Sequence, residues 1–324
     1  MRGYPNLFLV ARIPLGLIGS IVKYRKEQFP KLLSIELSNA CNSNCIMCPR
    51  TELTRKIQHM PTEILEKIVR DCRGKPLRKI NLFWFGDSLT NPKFIDQLKM
   101  IRSALPGVIL NLSTNAELLT KERSDIILQE GLLDRINFDV DGITKETYES
   151  IRRGVNFDVV MKNVHYFIDE KNKLKVRKPC ISVTIIRMTK TCSEIDDFKD
   201  YWQNHADKVE VNDYNTWLGS KPDFNVGDTL EKSREGSFKY PCVHPWEELV
   251  ISANGKAGLC CLDYDLKAEV GDVTKQSIEK IWKGKQMTEY RNYIMKLNYH
   301  MVEPCKNCNN YIYQDKTLWA KLWK

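Results

Sequence analysis

Between Leu33 and about Val211, short apolar runs rich in β-branched residues alternate with amphipathic segments that carry Lys and Glu. Strands and helices taken in turn give such a pattern, and it implies a parallel sheet joined by crossover helices. Six runs read as strands: 33–37, 80–85, 108–112, 135–140, 180–186 and 209–213. Six βα units fall short of a closed eight-strand barrel, so the expected fold is α/β, a partial (β/α)6 TIM-like barrel. After Met60, Pro61 suits a first helical turn, and Ile64, Leu65 and Ile68 repeat at the helical period. Parallel barrels gather their reactive groups at the carboxyl ends of strands, which points to the loop after each run.

From Thr216 to Tyr240 the pattern dissolves into Gly, Ser, Pro and Lys, as a connector would. Beyond it, runs 248–252 and 256–259 flank Ala253-Asn254-Gly255, and Asn-Gly accepts positive φ, so a hairpin is expected. Residues 278–297 are helical in period. The expected organisation is an N-terminal extension (1–32), the partial barrel (33–215), the connector (216–240), a small cysteine-rich domain (241–310) and a tail (311–324). The extension mixes apolar groups with Arg2, Arg12, Lys23, Arg25 and Lys26. Packing is its first reading, and peripheral membrane contact through an interfacial helix the second. The tail repeats Leu318 with Leu322 and Trp319 with Trp323, a stripe that suits core packing before a partner-binding helix.

The chain has 324 residues, 42% hydrophobic and 28% charged, enough to bury a large core, which excludes disorder and coiled coil. The nearest approach to a membrane span, Ile13 to Val22, is short and broken by Pro14, Gly16 and Gly19. Arg12 interrupts the N-terminal apolar stretch and no small-residue cleavage site follows, so no signal peptide is expected. A net charge of +9 favours anionic partners: phosphate-bearing or nucleotide-linked small molecules, nucleic acid or an acidic membrane surface. Nucleic acid is not expected, because no RNA-binding module is recognisable. Eleven cysteines belong to a disulfide framework or to metal chemistry. A chain able to form its own core, with most cysteines three or four residues apart, reads as metal-binding and cytoplasmic.

Cys41, Cys45 and Cys48 form C-x3-C-x2-C directly after the first strand. Three neighbouring thiolates bind soft metal, and three ligands on a four-iron cube leave one iron open to a small molecule. A zinc knuckle lacking one ligand, or three unrelated thiols, are the alternatives. Cys242, Cys260, Cys305 and Cys308 form a second set. Four thiolates satisfy all four irons and suit electron transfer or support, and their spacing also suits structural zinc. Of the other cysteines, Cys72 falls on a helix, Cys180 begins a strand and Cys192 follows one.

The segment Cys41-Asn42-Ser43-Asn44-Cys45-Ile46-Met47-Cys48 resembles the C-x3-C-x-hydrophobic-C motif of the radical S-adenosylmethionine (SAM) superfamily. Phe85-Gly86-Asp87-Ser88-Leu89 resembles that family's Gly-Gly-Glu-Pro-Leu segment, which binds the SAM amino group, with Phe for the first glycine and Asp for the glutamate. Thr114-Asn115-Ala116 resembles its Thr-Asn-Gly turn, Asp139-Val140-Asp141-Gly142 its Ser-x-Asp-Gly turn, and Arg152-Arg153-Gly154 its Arg-x-Gly, where arginine can contact the SAM carboxylate. The resemblance implies cofactor contacts from Met47, Gly86, Asp87, Thr114, Asn115, Asp139 and Arg152, and a SAM-binding [4Fe-4S] cluster on Cys41, Cys45 and Cys48. The surroundings of the second set, Cys242-Val243-His244-Pro245-Trp246 through Cys260-Cys261 to Arg291, resemble a SPASM auxiliary-cluster domain. No cysteine follows Cys308, which is similar to the truncated twitch type of 2-deoxy-scyllo-inosamine dehydrogenase-like enzymes and implies one auxiliary [4Fe-4S] cluster on Cys242, Cys260, Cys305 and Cys308.

Such a protein is expected to cleave SAM reductively, drawing on an external one-electron reductant such as flavodoxin or ferredoxin. The resulting 5'-deoxyadenosyl radical would abstract hydrogen from a small sugar, aminocyclitol or glycoside, giving dehydrogenation or epimerisation. Asp263 is the expected base for dehydrogenation, and Cys261, with Cys180 and Cys192 behind it, the expected hydrogen donor for epimerisation. Peptide-modifying relatives frequently carry a leader-binding domain ahead of the motif. Here the motif starts at Cys41, which favours a compact substrate and leaves a peptide maturase second. The reading from another class is a non-enzymatic iron-sulfur electron carrier or sensor.

Overall fold

The computed structural model describes residues 28–221, 224 and 241–308. Residues 1–27, most of the connector and the apolar C-terminal stripe lie outside them. The strands are β1 (Leu32–Ile35), β2 (Asn44–Cys45), β3 (Lys79–Asn81), β4 (Ile109–Thr114), β5 (Arg135–Asp139), β6 (Arg152–Arg153), β7 (Cys180–Arg187), β8 (Lys208–Asp213), β9 (Glu248–Ile251), β10 (Lys256–Gly258) and β11 (Glu269–Asp272). Nine of them form one sheet in the order β11-β10-β9-β1-β3-β4-β5-β7-β8. The seven from β9 to β8 run parallel, as βα crossovers require. The barrel strands and the helix after Met60, Thr62–Cys72, therefore stand where the periodicity places them.

Two local expectations are revised. The second run stops pairing at Asn81, and Leu82 to Asp87 leave the sheet as a loop. There Ser88 Oγ donates to the Leu82 carbonyl, and Gly86 sits at φ +101°, which strand geometry does not allow. The predicted helix over 278–297 is two helices, Ile278–Trp282 and Lys285–Met295. Gly284 caps the second, and a Cβ there would stand 3.0 Å from the Ile281 carbonyl oxygen.

The hairpin forms as Asn-Gly predicts, with Gly255 at φ +87°. Its first strand, β9, also pairs in parallel with β1 over all four residues, Leu32 with Glu248 through Ile35 with Ile251. The cysteine-rich segment thus extends the barrel's own sheet.

Strands between helix layers are commonly apolar on both faces. Here Leu33, Ile35, Ile80, Leu110, Leu112 and Phe138 are fully buried in the core shared with the helices. The alternate positions, Ser34, Asn81, Asn111, Ser113, Asn137 and Thr184, turn inward and line a cleft of about 770 Å³. The barrel interior is therefore an open chamber in place of a packed core, with hydroxyl and amide groups on its strands and apolar side chains such as Phe83, Trp84 and Trp217 completing its lining.

Candidate active site

The loop carrying Cys41, Cys45 and Cys48 lies beyond the carboxyl end of β1, and all three cysteines line the cleft. A two-residue antiparallel bridge, Asn44 with Arg153 and Cys45 with Arg152, ties this loop to the segment after β5. It places the Arg152 guanidinium 3.8 Å from Cys45 Sγ, while its Nε and Nη2 hold Asp141 at 2.8 and 2.6 Å. Burial, the Asp87 charge and Cys45 push the Cys41 thiol up to about 12, and burial with Cys45 pushes Cys48 up to about 11. A cationic iron centre relieves such a penalty on thiolates.

Gly86 brings its loop against the residues just before Cys41. An added Cβ would lie 2.6 Å from Asn39 Cα and from the Ser38 carbonyl oxygen, so only glycine permits this approach. Asp87 follows, and its backbone N–H donates to the Ala40 carbonyl at 2.9 Å. Its carboxylate accepts from Leu89 N–H (2.9 Å), Thr114 Oγ1 (2.7 Å) and Asn115 N–H (3.1 Å). Burial outweighs these bonds and raises Asp87 above the ordinary carboxylate range. Asn115 donates to Asn42 Oδ1 at 3.0 Å, which joins the turn after β4 to the cysteine loop. Asp139, at the end of β5, accepts from Ser113 Oγ (3.0 Å) and Asn137 Nδ2 (2.7 Å). Burial pushes it up to about 6, with Arg152 opposing and Asp141 and Asp87 assisting. Met47 is buried against Ile151, Met188 and Tyr214 and borders the cleft.

The second cysteine set gathers beside the other end of the chamber. Burial and the nearby Cys260, Cys242 and Cys308 together raise the Cys305 thiol, so the four cysteines lie close enough to act on one another. The Cys242 N–H donates to the Tyr299 hydroxyl at 2.8 Å, and the Leu262 N–H lies 3.4 Å from Cys260 Sγ. No cysteine is in a disulfide. Three and four converging thiols are the donor sets that a three-coordinated and a fully coordinated [4Fe-4S] cluster need.

Cys261, next to this set, lines the cleft with His244 and Glu248, and the ligating atoms of the three lie within 4.8 Å of one another. Burial disfavours a charged His244, but the Glu248 carboxylate and Cys260 outweigh it and push the imidazole up to about 9. Glu248 pairs with Leu32, at the opposite end of β1 from the Cys41 loop, so the chamber runs between the two cysteine sets.

Asp263 is not among the residues that line the cleft. Its oxygens accept from Lys267 N–H (2.9 Å) and Ala268 N–H (2.7 Å), which fastens the turn after Cys261. Cys180 reaches the chamber at the start of β7, Cys192 is exposed outside it, and Cys72 is buried in the core.

Residues 35–186 match the family model of the radical SAM superfamily, and residues 242–309 that of the SPASM iron-sulfur cluster-binding domain. The chain thus carries a stretch similar to the radical SAM domain, followed by one similar to the SPASM domain. Radical SAM and SPASM domains use SAM and [4Fe-4S] clusters, and the two converging thiol sets suit both. A tungsten-containing aldehyde ferredoxin oxidoreductase cofactor-modifying protein of Pyrococcus furiosus is 25% identical over 179 residues, 54% of this chain and 48% of that protein. A GTP 3',8-cyclase of Chlorobaculum tepidum is 30% identical over 129 residues, 40% of this chain and 38% of the cyclase. The chain spans about half the length of the curated relatives it matches. Among solved structures, BtrN in complex with AdoMet and 2-DOIA superposes with a TM-score of 0.57 at 16% identity, covering 88% of this chain and 94% of BtrN. SuiB of Streptococcus suis, bound to the precursor peptide SuiA, superposes at 0.66 and 15% identity, covering 89% of this chain and 73% of SuiB. At these identities the likeness is one of fold. No helix among the described residues is long and apolar enough to cross a membrane.

The family motifs miss the chamber wall and the Glu248-His244 pair. The wall was signalled by a period-two alternation, as in Leu33-Ser34-Ile35 and Leu110-Asn111-Leu112-Ser113. For Glu248 no sequence signal existed, because β9 reaches the chamber only by pairing with β1.

Proposed function

We propose that this radical SAM enzyme oxidises a carbinol C–H of a compact polyhydroxylated or aminated molecule, a sugar, aminocyclitol or glycoside, held in the chamber between its two cysteine sets. The observation that carries this reading is the row of hydroxyl and amide side chains that successive strands turn into the chamber. When bound, SAM and its cluster supply a 5'-deoxyadenosyl radical, and the auxiliary cluster supplies a one-electron acceptor. Cys41, Cys45 and Cys48 would hold the first cluster, and Cys242, Cys260, Cys305 and Cys308 the second. Asp87, Thr114 and Asn115 brace the SAM side through one hydrogen-bond network. Arg152 neutralises Asp141 and faces Cys45. Asp139 adds a carboxylate where the family commonly has serine. Glu248 lines the opposite end of the chamber, where Ser34 and His244 hold its two oxygens and fix a carboxylate against the substrate. A second reading, epimerisation, is favoured by Cys261, whose side chain lines the same chamber.

The test is anaerobic reconstitution of the wild type and of a Cys41→Ala, Cys45→Ala, Cys48→Ala variant. Iron is counted, and 5'-deoxyadenosine is assayed after SAM and reductant are added with deuterated polyols or, separately, with a deuterated peptide. About eight irons in the wild type and about four in the variant, with deuterium passing to the nucleoside only in the wild type, are expected. Four irons with one zinc in the wild type would remove the electron acceptor and with it the oxidation. Deuterium transfer from a peptide alone would replace the polyol by a peptide.

A further inference from the structure

The chamber wall carries a chain of hydrogen bonds with one direction. Ser34 Oγ lies 2.5 Å from Glu248 Oε1, and a carboxylate has no proton to give, so the serine donates. The serine oxygen is then left to accept, and Asn81 Nδ2 donates to it at 3.2 Å. That turns Asn81 Oδ1 towards the next strand, where it accepts from Asn111 Nδ2 at 3.0 Å. The polarity thus passes from β9 through β1 and β3 to β4, between residues that strand register sets side by side: Ser34 with Asn81, and Asn81 with Asn111. At its far end Asn111 Oδ1 takes no hydrogen bond among the described residues, and Asn111 is half-buried and lines the cleft.

A second relay has the same sense. Asp139 accepts from Asn137 Nδ2 at 2.7 Å, which leaves Asn137 Oδ1 to accept from Thr184 Oγ1 at 2.5 Å. Both relays end on a carboxylate, so the amides present their carbonyl oxygens on the side away from it. The Asn137 carbonyl is thus taken by Thr184, and the Asn111 carbonyl is the acceptor left to a ligand, whose complement there is a donor. Arg135 and Lys208 also border the cleft, but they begin β5 and β8 and are exposed.

Resting on the oxidation of a polyol proposed above, we infer that Asn111 is a specificity residue, oriented by the Glu248-Ser34-Asn81 relay, that accepts a hydrogen bond from a substrate hydroxyl or ammonium group and selects donor-rich neutral or aminated polyols over phosphorylated ones. Ser34 and Glu248 act through it as positioning residues. A phosphate centred here would set its oxygens against the Asn111 carbonyl and the Glu248 carboxylate, and its donors would have to come from Arg135, which stands beside Asn111 in register at the exposed start of β5, and from His244, which already pairs with Glu248. An ammonium or hydroxyl satisfies the same acceptor.

The experiment is equilibrium binding to the anaerobically reconstituted, SAM-loaded protein, with myo-inositol, glucosamine, glucose 6-phosphate and an acidic octapeptide as probes. The wild type is expected to bind glucosamine and myo-inositol more tightly than glucose 6-phosphate. Asn111→Leu, which removes the acceptor, should weaken glucosamine about tenfold while iron content stays at the wild-type value. Ser34→Ala cuts the relay and lets the amides turn, so it should narrow the preference for glucosamine over glucose 6-phosphate, a ratio that general loosening of the fold would not change. Should Asn111→Leu fail to fold, that ratio in Ser34→Ala carries the test. Polyol binding unchanged by both substitutions, or tighter binding of glucose 6-phosphate by the wild type, overturns the inference and leaves polyol oxidation standing. Binding of the octapeptide and of neither polyol overturns the oxidation reading and the inference with it.

Discussion

Asp139 shows how far one side chain can depart from a motif and still be accommodated. Where the family commonly has serine, this chain places a buried carboxyl beside Arg152, Asp141 and Asp87, with Ser113 and Asn137 donating to it. Burial pushes it up to about 6, so it is neutral below that pH and anionic above it. SAM carries a sulfonium and an ammonium, and its binding near an anion strengthens as pH rises through about 6. Titration of SAM affinity between pH 5 and 8 is expected to show this rise, and Asp139→Ser to flatten it; a pH-independent wild-type affinity would place Asp139 out of reach of the cofactor. The sign for folding is the reverse. With its folded value above the ordinary 3.8, Asp139 favours the folded chain most below about pH 4, and this contribution is lost as pH rises through about 6. Asp263 carries the opposite lesson. An acid two residues past a cysteine pair reads as a base, yet both its oxygens are occupied by backbone N–H groups.

At the level of elements, the loop after the first cysteine set is clasped to the loop after Cys260. Arg55 makes a bidentate pair with Glu36 at 2.8 and 2.9 Å, donates to the Tyr264 carbonyl at 3.0 Å, and lies over the Trp84 ring. Trp84 Nε1 in turn donates to the Cys261 carbonyl at 2.6 Å, and Thr54 binds Asp265 through N–H and hydroxyl. Glu36 also accepts from the Ala253 N–H of the hairpin turn at 3.0 Å. Removing one partner of a buried pair strands the other, so Arg55→Met is expected to lower stability by about 3 kcal/mol. The Arg55→Met, Glu36→Gln double variant should recover part of that loss, as urea unfolding of the reconstituted proteins would show. Additive effects would mean that the pair is not coupled.

For the whole molecule, the decisive feature is the parallel pairing of β9 with β1, which makes barrel and SPASM segment one sheet. Residues 28–221 alone would leave the β1 edge unpaired and strip Leu249 and Ile251 from the core beside Leu33 and Ile35. That fragment is expected to aggregate and to lack a cooperative thermal transition, which calorimetry and size-exclusion chromatography would test; a soluble, cooperatively melting fragment would show that the barrel stands without β9. The alternating βα pattern, the helix after Pro61, the Asn-Gly hairpin and both cysteine sets were legible in the sequence, because each depends on local periodicity or spacing. Gly284 splitting the last predicted helix was not, since a single glycine inside a helical period is tolerated unless packing forces a cap. The SAM-side motifs could be named one by one, but the Arg152-Cys45 approach needed the β2–β6 bridge. By itself the sequence determined the chemistry available: two thiol sets, a set of family-like turns, and strands polar on one face. Only the tertiary structure decided that those polar faces share one chamber, that Glu248 enters it and that Asp263 stays outside, because pairing between strands more than 200 residues apart leaves no local pattern to read.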